Sequence, residues 1–352
     1  MSQELTTAPH TGYARFMEAC HHRQPDATPI WFMRQGGSCI QEYRALLEKY
    51  DVLTIAKTPE LSSSVAMMPI KTFGVDAAVL YADVMLPVEA MGVTMHLEET
   101  GPVVHHPIRG AKDVEALRTP GNDEVTPFVM DGIRLIRHEL EGKQAIIGIT
   151  GAPFTLACYM IEGGPSRDYR TAKALMYGQP AVWHALMTKV TDVLTGYVSA
   201  QVRAGADAIQ MFDSWIGAIS PSVYRVFVQP YSRRVLDAVK QAGAPSIHFG
   251  TGTGALLKTM TETGGDIIGV DWRVDLDDAW AQIGFERGIQ GNLDPAIMQA
   301  PWPVIEEGAR DVLRRAANRP GHIFNFGHAV GTMADPDQLR RLVDTVHELT
   351  QR

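Results

Sequence analysis

The stretch Asp266-Ile-Ile-Gly-Val270 leaves directly into Asp271 and Trp272. A short apolar run rich in β-branched residues, ending on a polar one, reads as a buried strand with a polar exit. The same pattern recurs in both directions. Toward the N-terminus it is Ser246–Phe249 leaving into Gly250 and Thr251, and Ala208–Phe212 leaving into Asp213 and Ser214. Before those come Ala145–Ile149 into Thr150 and Gly151, Ala77–Tyr81 into Asp83, and Pro29–Met33 into Arg34 and Gln35. Toward the C-terminus it is Gly288-Ile-Gln290 into Gly291, Asn292 and Asp294, then His322–Phe326 into Gly327 and His328.

Helical stripes lie between these runs. Val129, Ile133, Ile136 and Leu140 share one helix face, as do Leu186, Val190, Val193 and Tyr197. Leu339, Leu342, Val343, Val346 and Leu349 mark a last amphipathic helix. Thr58-Pro59 and Asp335-Pro336 place an N-cap before a proline, and Asp335 with Gln338 resembles a capping box. Strand and helix in alternation mean parallel βαβ units, and eight of them favour an α/β fold of the (β/α)₈ TIM-barrel class. Val93, Met95 and Leu97 alternate before Gly101, which predicts a β-hairpin inserted after the second strand, within Met91 to Pro107. Residues 1–10 read as a flexible N-terminus and 11–352 as one domain.

Composition narrows the function. The chain has 352 residues, 45% hydrophobic and 20% charged, ordinary for a globular protein. No apolar run reaches the roughly 18–20 residues of a membrane span, and the N-terminus lacks a basic segment followed by an apolar one. No membrane partner and a cytoplasmic location are therefore expected. The three cysteines, Cys20, Cys39 and Cys158, are widely spaced and read as free thiols. A net charge of −8 argues against nucleic acid. It also means that a polyanionic ligand would need a local cluster of cations.

In a barrel the chemistry sits at the C-terminal strand ends. An aspartate there is as often a helix cap, and Asp294 before Pro295 fits a cap well. His248 lies within a strand and reads as a core or supporting histidine. His105 and His106 read as exposed. Gly250–Gly254 fits either a phosphate cradle or a close backbone approach, and matches no nucleotide signature. No metal motif or GxSxG elbow is present, so neither a metal nor a serine nucleophile is expected. Two stretches carry more. In Trp31–Gly37 an Arg-Gln pair enters two glycines, which suits carboxylate binding close to the backbone. In Gly151–Gly164 a helix carries Tyr159 into a Gly-Gly hinge, and the basic segment Pro165–Arg170 follows, reading as a lid.

Seven motifs in order, PIWFMRQ, VDAAVLYAD, GAPFTLACYMIEGG, IQMFDSWIG, GVDW, QGNLDP and HIFNFGH, resemble the uroporphyrinogen decarboxylase family along nearly the whole chain. The resemblance implies a cofactor-independent carboxy-lyase, a homodimer of barrels. Its reaction removes CO₂ from four acetate side chains of a tetrapyrrole, turning uroporphyrinogen into coproporphyrinogen on the route to haem. It implies a substrate contact set of Arg34, Gln35, Gly36, Gly37, Ser38, Asp83, Tyr159, Ser214 and His328. Arg34 would clamp carboxylates, Asp83 would face the pyrrole N–H groups, and Tyr159 would join them in catalysis.

The chain departs from the family pattern in places. RQGGS stands where RQAGR is usual, so Ser38 replaces an arginine. Leu47 replaces another beyond EYR, and Val65–Pro69 is unusually apolar. GHAV stands for GHG. Lys71, Arg167 and Arg170 are candidates to make good the missing cations. Two rivals follow: a methyltransferase-like paralogue, and a porphyrin-binding barrel without catalysis. The first would want a zinc site with His-x-Cys on a strand, where this chain has His248-Phe249-Gly250 and no cysteine after Cys158. The second has little use for a carboxylate at the ring centre.

Overall fold

The computed structural model describes residues 11–33, 39–98, 101–121 and 124–352. The expected flexible segment 1–10 lies outside the described residues, as do Arg34, Gln35, Gly36, Gly37 and Ser38. The strands, in chain order, are β1 (Ala77–Val79), β2 (Met95–Glu98), β3 (Gly101–Val104), β4 (Ala145–Gly151), β5 (Ala208–Asp213), β6 (Ser246–Gly250), β7 (Ile267–Gly269), β8 (Gly288–Gln290) and β9 (His322–Ile323). Seven form one parallel sheet in the order β1-β4-β5-β6-β7-β8-β9, and β2 and β3 pair antiparallel. The alternating Val93–Leu97 stretch thus gives the expected hairpin strands, between β1 and β4. Its His105 and His106 are exposed as read.

The sheet is curled. Trp31 Nε1 donates to Gln290 Oε1 at 3.0 Å, and Gln290 Nε2 donates to Gln210 Oε1 at 2.8 Å. Gln210 is on β5 and Gln290 on β8, three places apart in the sheet. On a flat sheet those positions would lie roughly 14 Å apart, since neighbouring strands are about 4.8 Å apart. Their side chains meet because one face of the sheet has become the inside.

The first predicted strand, Pro29–Met33, needs correction. Among the described residues its one bridge is parallel, Ile30 with Phe324 just past β9. On its other side Ile30 meets Asp76 rather than β1 itself. Asp76 N donates to Ile30 O at 2.9 Å, and Ile30 N donates to Asp76 Oδ2 at 2.8 Å. A side-chain carboxylate has taken the place of a strand carbonyl, so no ladder builds. The same carboxylate faces His347 Nε2 at 2.8 Å, near the C-terminus, and Arg15 Nη1 at 3.3 Å in the first helix.

The helical stripes pack as read. Val129, Ile133, Ile136 and Leu140 of helix Pro127–Leu140 are buried, as are Leu186, Val190, Val193 and Tyr197 of helix Pro180–Ala204. Each fully buried Leu, Ile or Val side chain is worth about 1.5–3 kcal/mol over leaving it exposed. Leu349 departs from its stripe at 39% exposure. The caps divide. Asp335 and Asp294 accept from Asp337 N and Ala296 N. Thr58 Oγ1 instead donates back to Thr54 O, and Gln338 Oε1 is buried with no partner among the described residues, so Asp335 caps without a capping box. All three cysteines are buried and free.

Asp76→Ala would leave Ile30 N–H and the Arg15 charge without this partner in a nearly dry site, at a cost of about 3 kcal/mol. Urea denaturation followed by tryptophan fluorescence measures it. A loss below about 1 kcal/mol would mean that the carboxylate is not a structural tie.

Candidate active site

The strand exits lie along one edge of the sheet. Asp83 lies in the segment between β1 and helix Leu86–Ala90 and is half-buried. Its Oδ1 accepts from Met85 N at 2.8 Å, an Asx-type turn that fixes the carboxylate before helix Leu86–Ala90 begins. Its neighbour Val84 packs on Gly151 at the end of β4, where a Cβ would stand 3.3 Å from Val84 Cβ. Helix Pro153–Glu162 starts from that point and carries Tyr159, 9% exposed. Burial first, then the charge of Asp83, pushes the Tyr197 phenol well above its ordinary range. Tyr197, read from sequence as a plain core residue, therefore lies within the field of Asp83.

Ser214 leaves β5 beside Trp215. The Tyr159 ring meets Trp215 edge-on at 5.8 Å, and Tyr169, from the segment after the Gly-Gly hinge, meets it from another side at 5.5 Å. Tyr169 is buried and sits at φ 53, a left-handed conformation that costs a bulky residue about 1–2 kcal/mol. The loop after the hinge is thus packed down by an aromatic anchor. Beneath Ser214, Thr155 Oγ1 donates to Asp213 Oδ1 at 3.1 Å, and Trp215 N donates to Thr155 Oγ1 at 3.4 Å. This chain of bonds ties the helix bearing Tyr159 to the exit bearing Ser214. Thr251 Oγ1 donates to Ser214 O at 2.5 Å from the next exit along.

His328 lies past β9. Its ring is 6.4 Å from Phe249 and 6.4 Å, edge-on, from Trp272. Phe249 in turn meets Phe212 at 5.9 Å. Aromatic rings therefore run from His328 along the sheet edge to the residue two before Ser214. Gly327 allows this approach. A Cβ there would collide with the Trp272 backbone nitrogen and stand 3.0 Å from Asp271 Cα.

Asn292 and Asp271 are tied into the backbone around them. Asn292 Nδ2 donates to Asp271 O at 2.9 Å and Val274 O at 2.6 Å. Asp271 accepts from Gly252 N at 2.7 Å. In the glycine run 250–254 the close packing is at its start: a Cβ on Gly250 would stand 2.7 Å from Thr253 Cγ2, and Gly217 stands against the backbone of Thr251 and Gly252, while Gly254 faces open space. His248 is fully buried, 3.8 Å from Asp213 Oδ2, and both its ring nitrogens lack a hydrogen-bond partner among the described residues. It is a core histidine but not a satisfied one. Among the described residues no group of three His, Cys, Asp or Glu could hold a metal ion.

Of the expected contact set, Asp83, Tyr159, Ser214 and His328 share this edge, and Arg34 to Ser38 lie outside the described residues. Trp215 and Tyr169, whose rings pack together beside Ser214, were not singled out from sequence; Trp215 is signalled by its place next to Ser214.

The fold and edge define a class: a parallel α/β protein with a carboxylate, a phenol, a hydroxyl and an imidazole along the C-terminal strand ends. The chain matches the profile of the family described as Uroporphyrinogen decarboxylase (URO-D) over residues 11–349 and belongs to that family. A uroporphyrinogen decarboxylase of Roseiflexus is 47% identical over 96% of this chain and 98% of its own. One of Sorangium cellulosum is 48% identical over 95% of this chain and 96% of its own. Among solved structures, a methyltransferase from Methanosarcina mazei superposes with TM-score 0.82 at 20% identity, covering 97% of this chain and 99% of its own. A B12-independent methionine synthase from Shewanella gives TM-score 0.58 at 9% identity, over 83% of this chain and 86% of its own. At such identities these two speak for the fold alone.

Gly327→Ala should displace the Trp272 backbone and with it His328. The expected outcome is a stability loss of about 2–3 kcal/mol, read by thermal unfolding. An unchanged Tm would show that the approach is looser than the geometry requires.

Proposed function

We propose that this protein removes CO₂ from the four acetate side chains of uroporphyrinogen III, giving coproporphyrinogen III. The single observation that carries the reading is family membership over nearly the whole chain, at 47–48% identity to relatives named for this reaction. Neither the methyltransferase-like nor the carrier alternative has a comparable observation behind it.

The residues supply a mechanism without a cofactor. An acetate on a pyrrole loses CO₂ only if the carbon–carbon bond electrons have a sink. Protonation of the adjacent ring carbon makes the pyrrole a cationic acceptor. The bond to CO₂ then breaks, an exocyclic double bond forms, and a proton added to the exocyclic carbon completes the methyl group as the ring proton leaves. Asp83 is assigned to the pyrrole nitrogens, where it stabilises the cation. At about 4 Å and an effective dielectric near 20 this is worth on the order of 4 kcal/mol, roughly a thousandfold in rate. The turn to Met85 N supports that role by holding the carboxylate in one orientation. Arg34 is assigned to the substrate carboxylates and orients the proton donor. Gln35, Gly36, Gly37, Ser38, Tyr159, Ser214 and His328 complete the contact set.

The finer architecture is part of the same reading. Closure as a (β/α)₈ barrel of one domain, 11–352, is supported by Ile30, which bridges Phe324 on one side and bonds to Asp76 on the other. A homodimer is part of the proposal; the exposed side chains of Tyr177, at 55%, and Val226, at 57%, next to Phe227 on which the Tyr177 ring packs, are apolar surface a partner copy could cover. No helix among the described residues is long and apolar enough to cross a membrane, in keeping with the proposed cytoplasmic location.

Anaerobic incubation with uroporphyrinogen should give hepta-, hexa-, penta- and tetracarboxylate species in turn on chromatography. Asp83→Asn should slow this by roughly a thousandfold while binding of uroporphyrin survives. Near-normal turnover by the variant would remove Asp83 from the mechanism. Binding by the wild type without conversion would favour the carrier.

A further inference from the structure

We propose that Arg273 holds a carboxylate of the substrate on the side of the site opposite Asp83, with Asp271 as its positioning residue. The proposal rests on the functional reading above.

The need comes from charge. A tetrapyrrole with eight carboxylates carries anions around its whole perimeter, and the chain that would bind it has a net charge of −8. Cations on one side alone would leave the far carboxylates in an unfavourable field. The cations singled out from sequence all belong to the first half of the chain, and two are committed elsewhere. Lys71 is bound to Glu139 at 2.6 Å in the last turn of helix Pro59–Phe73. That helix leads into β1, so Lys71 stands at the wrong end of the strands. Arg170 bonds to Asp168 at 2.9 Å and its side chain is 86% exposed.

Sheet order puts β7 four places from β1. In a closed sheet of eight positions that is the opposite side. Arg273 stands just past β7, and its surroundings form a built mount. Its guanidinium carbon lies 4.1 Å over the Trp272 ring, and Trp272 meets His328 edge-on. Asp271 is 1% exposed and accepts from Arg273 Nη1 and from Arg273 N at 3.2 Å. It also accepts from Gly252 N, so the exit loops of β6 and β7 share one carboxylate. Held on one edge and stacked on one face, the guanidinium loses little freedom on binding. Its side chain is 53% exposed, which leaves donors of the planar fork for a carboxylate.

Arg273 takes no part in bond breaking, so its loss should separate binding from turnover. Arg273→Ala should raise KM for uroporphyrinogen about tenfold or more while kcat stays within about threefold, and Arg273→Lys should recover part of the difference. Uroporphyrin serves as a non-reacting probe, with binding read from quenching of tryptophan fluorescence. Its Kd should rise about tenfold or more in Arg273→Ala, and the gap should narrow in high salt. An unchanged KM and Kd, or a loss confined to kcat, would overturn the proposal. If the wild type binds uroporphyrin more tightly than Arg273→Ala but converts no uroporphyrinogen, the functional reading fails and the carboxylate mount stands.

Discussion

One buried carboxylate holds the two ends of the sheet together. Asp76 lies immediately before β1, yet its side chain and backbone both bond to Ile30, which bridges the end of β9. The same group takes Arg15 from the first helix and His347 from the last. A parallel sheet with both faces covered cannot leave a long unpaired edge inside the protein. Here Ile30 bridges Phe324 just past β9 and bonds to Asp76 just before β1. The curl it maintains brings Trp31, Gln290 and Gln210 into one chain of hydrogen bonds on the inside. In the proposed barrel it would also direct the strand exits toward a common centre.

The chemistry proposed for that centre is asymmetric in its demands. Decarboxylation needs one anionic group near the pyrrole nitrogens and cations everywhere else. In the proposed mechanism a half-buried aspartate locked by a backbone amide would serve the first demand. The rings of Trp215, Phe249 and Trp272 stand between the polar groups of these exits and give the edge apolar walls. The close packing of Gly217, Gly250 and Gly327 keeps neighbouring exits in register, so that each polar side chain is carried by a stiff base.

Much of this was legible in the sequence, for identifiable reasons. Seven strands could be read because buried parallel strands are continuous β-branched runs, each ending on a polar residue. The run Pro29–Met33 has the same composition, but its pairing is decided by Asp76, which is remote in sequence and belongs to another element. Asp83, Ser214 and His328 stand out as candidates because each follows a buried strand, and Tyr159 because a family-like motif surrounds it. The packing of Tyr169 on Trp215 was not legible, since it depends on where the hinge loop folds back. Arg273 was overlooked because GVDW reads as structural, and Asp271 is structural; its role as a mount appears only once Gly252 and Arg273 are seen on the same carboxylate.

The central claim is that four acetate carboxyls, and no propionate carboxyls, leave as CO₂. Uroporphyrinogen III labelled with carbon-13 in its acetate carboxyls tests it directly, by mass spectrometry of the released gas and of the remaining tetrapyrrole. The account predicts four labelled CO₂ per substrate at completion and an unlabelled coproporphyrinogen. Release of unlabelled CO₂, or recovery of the substrate with its label intact, would contradict it.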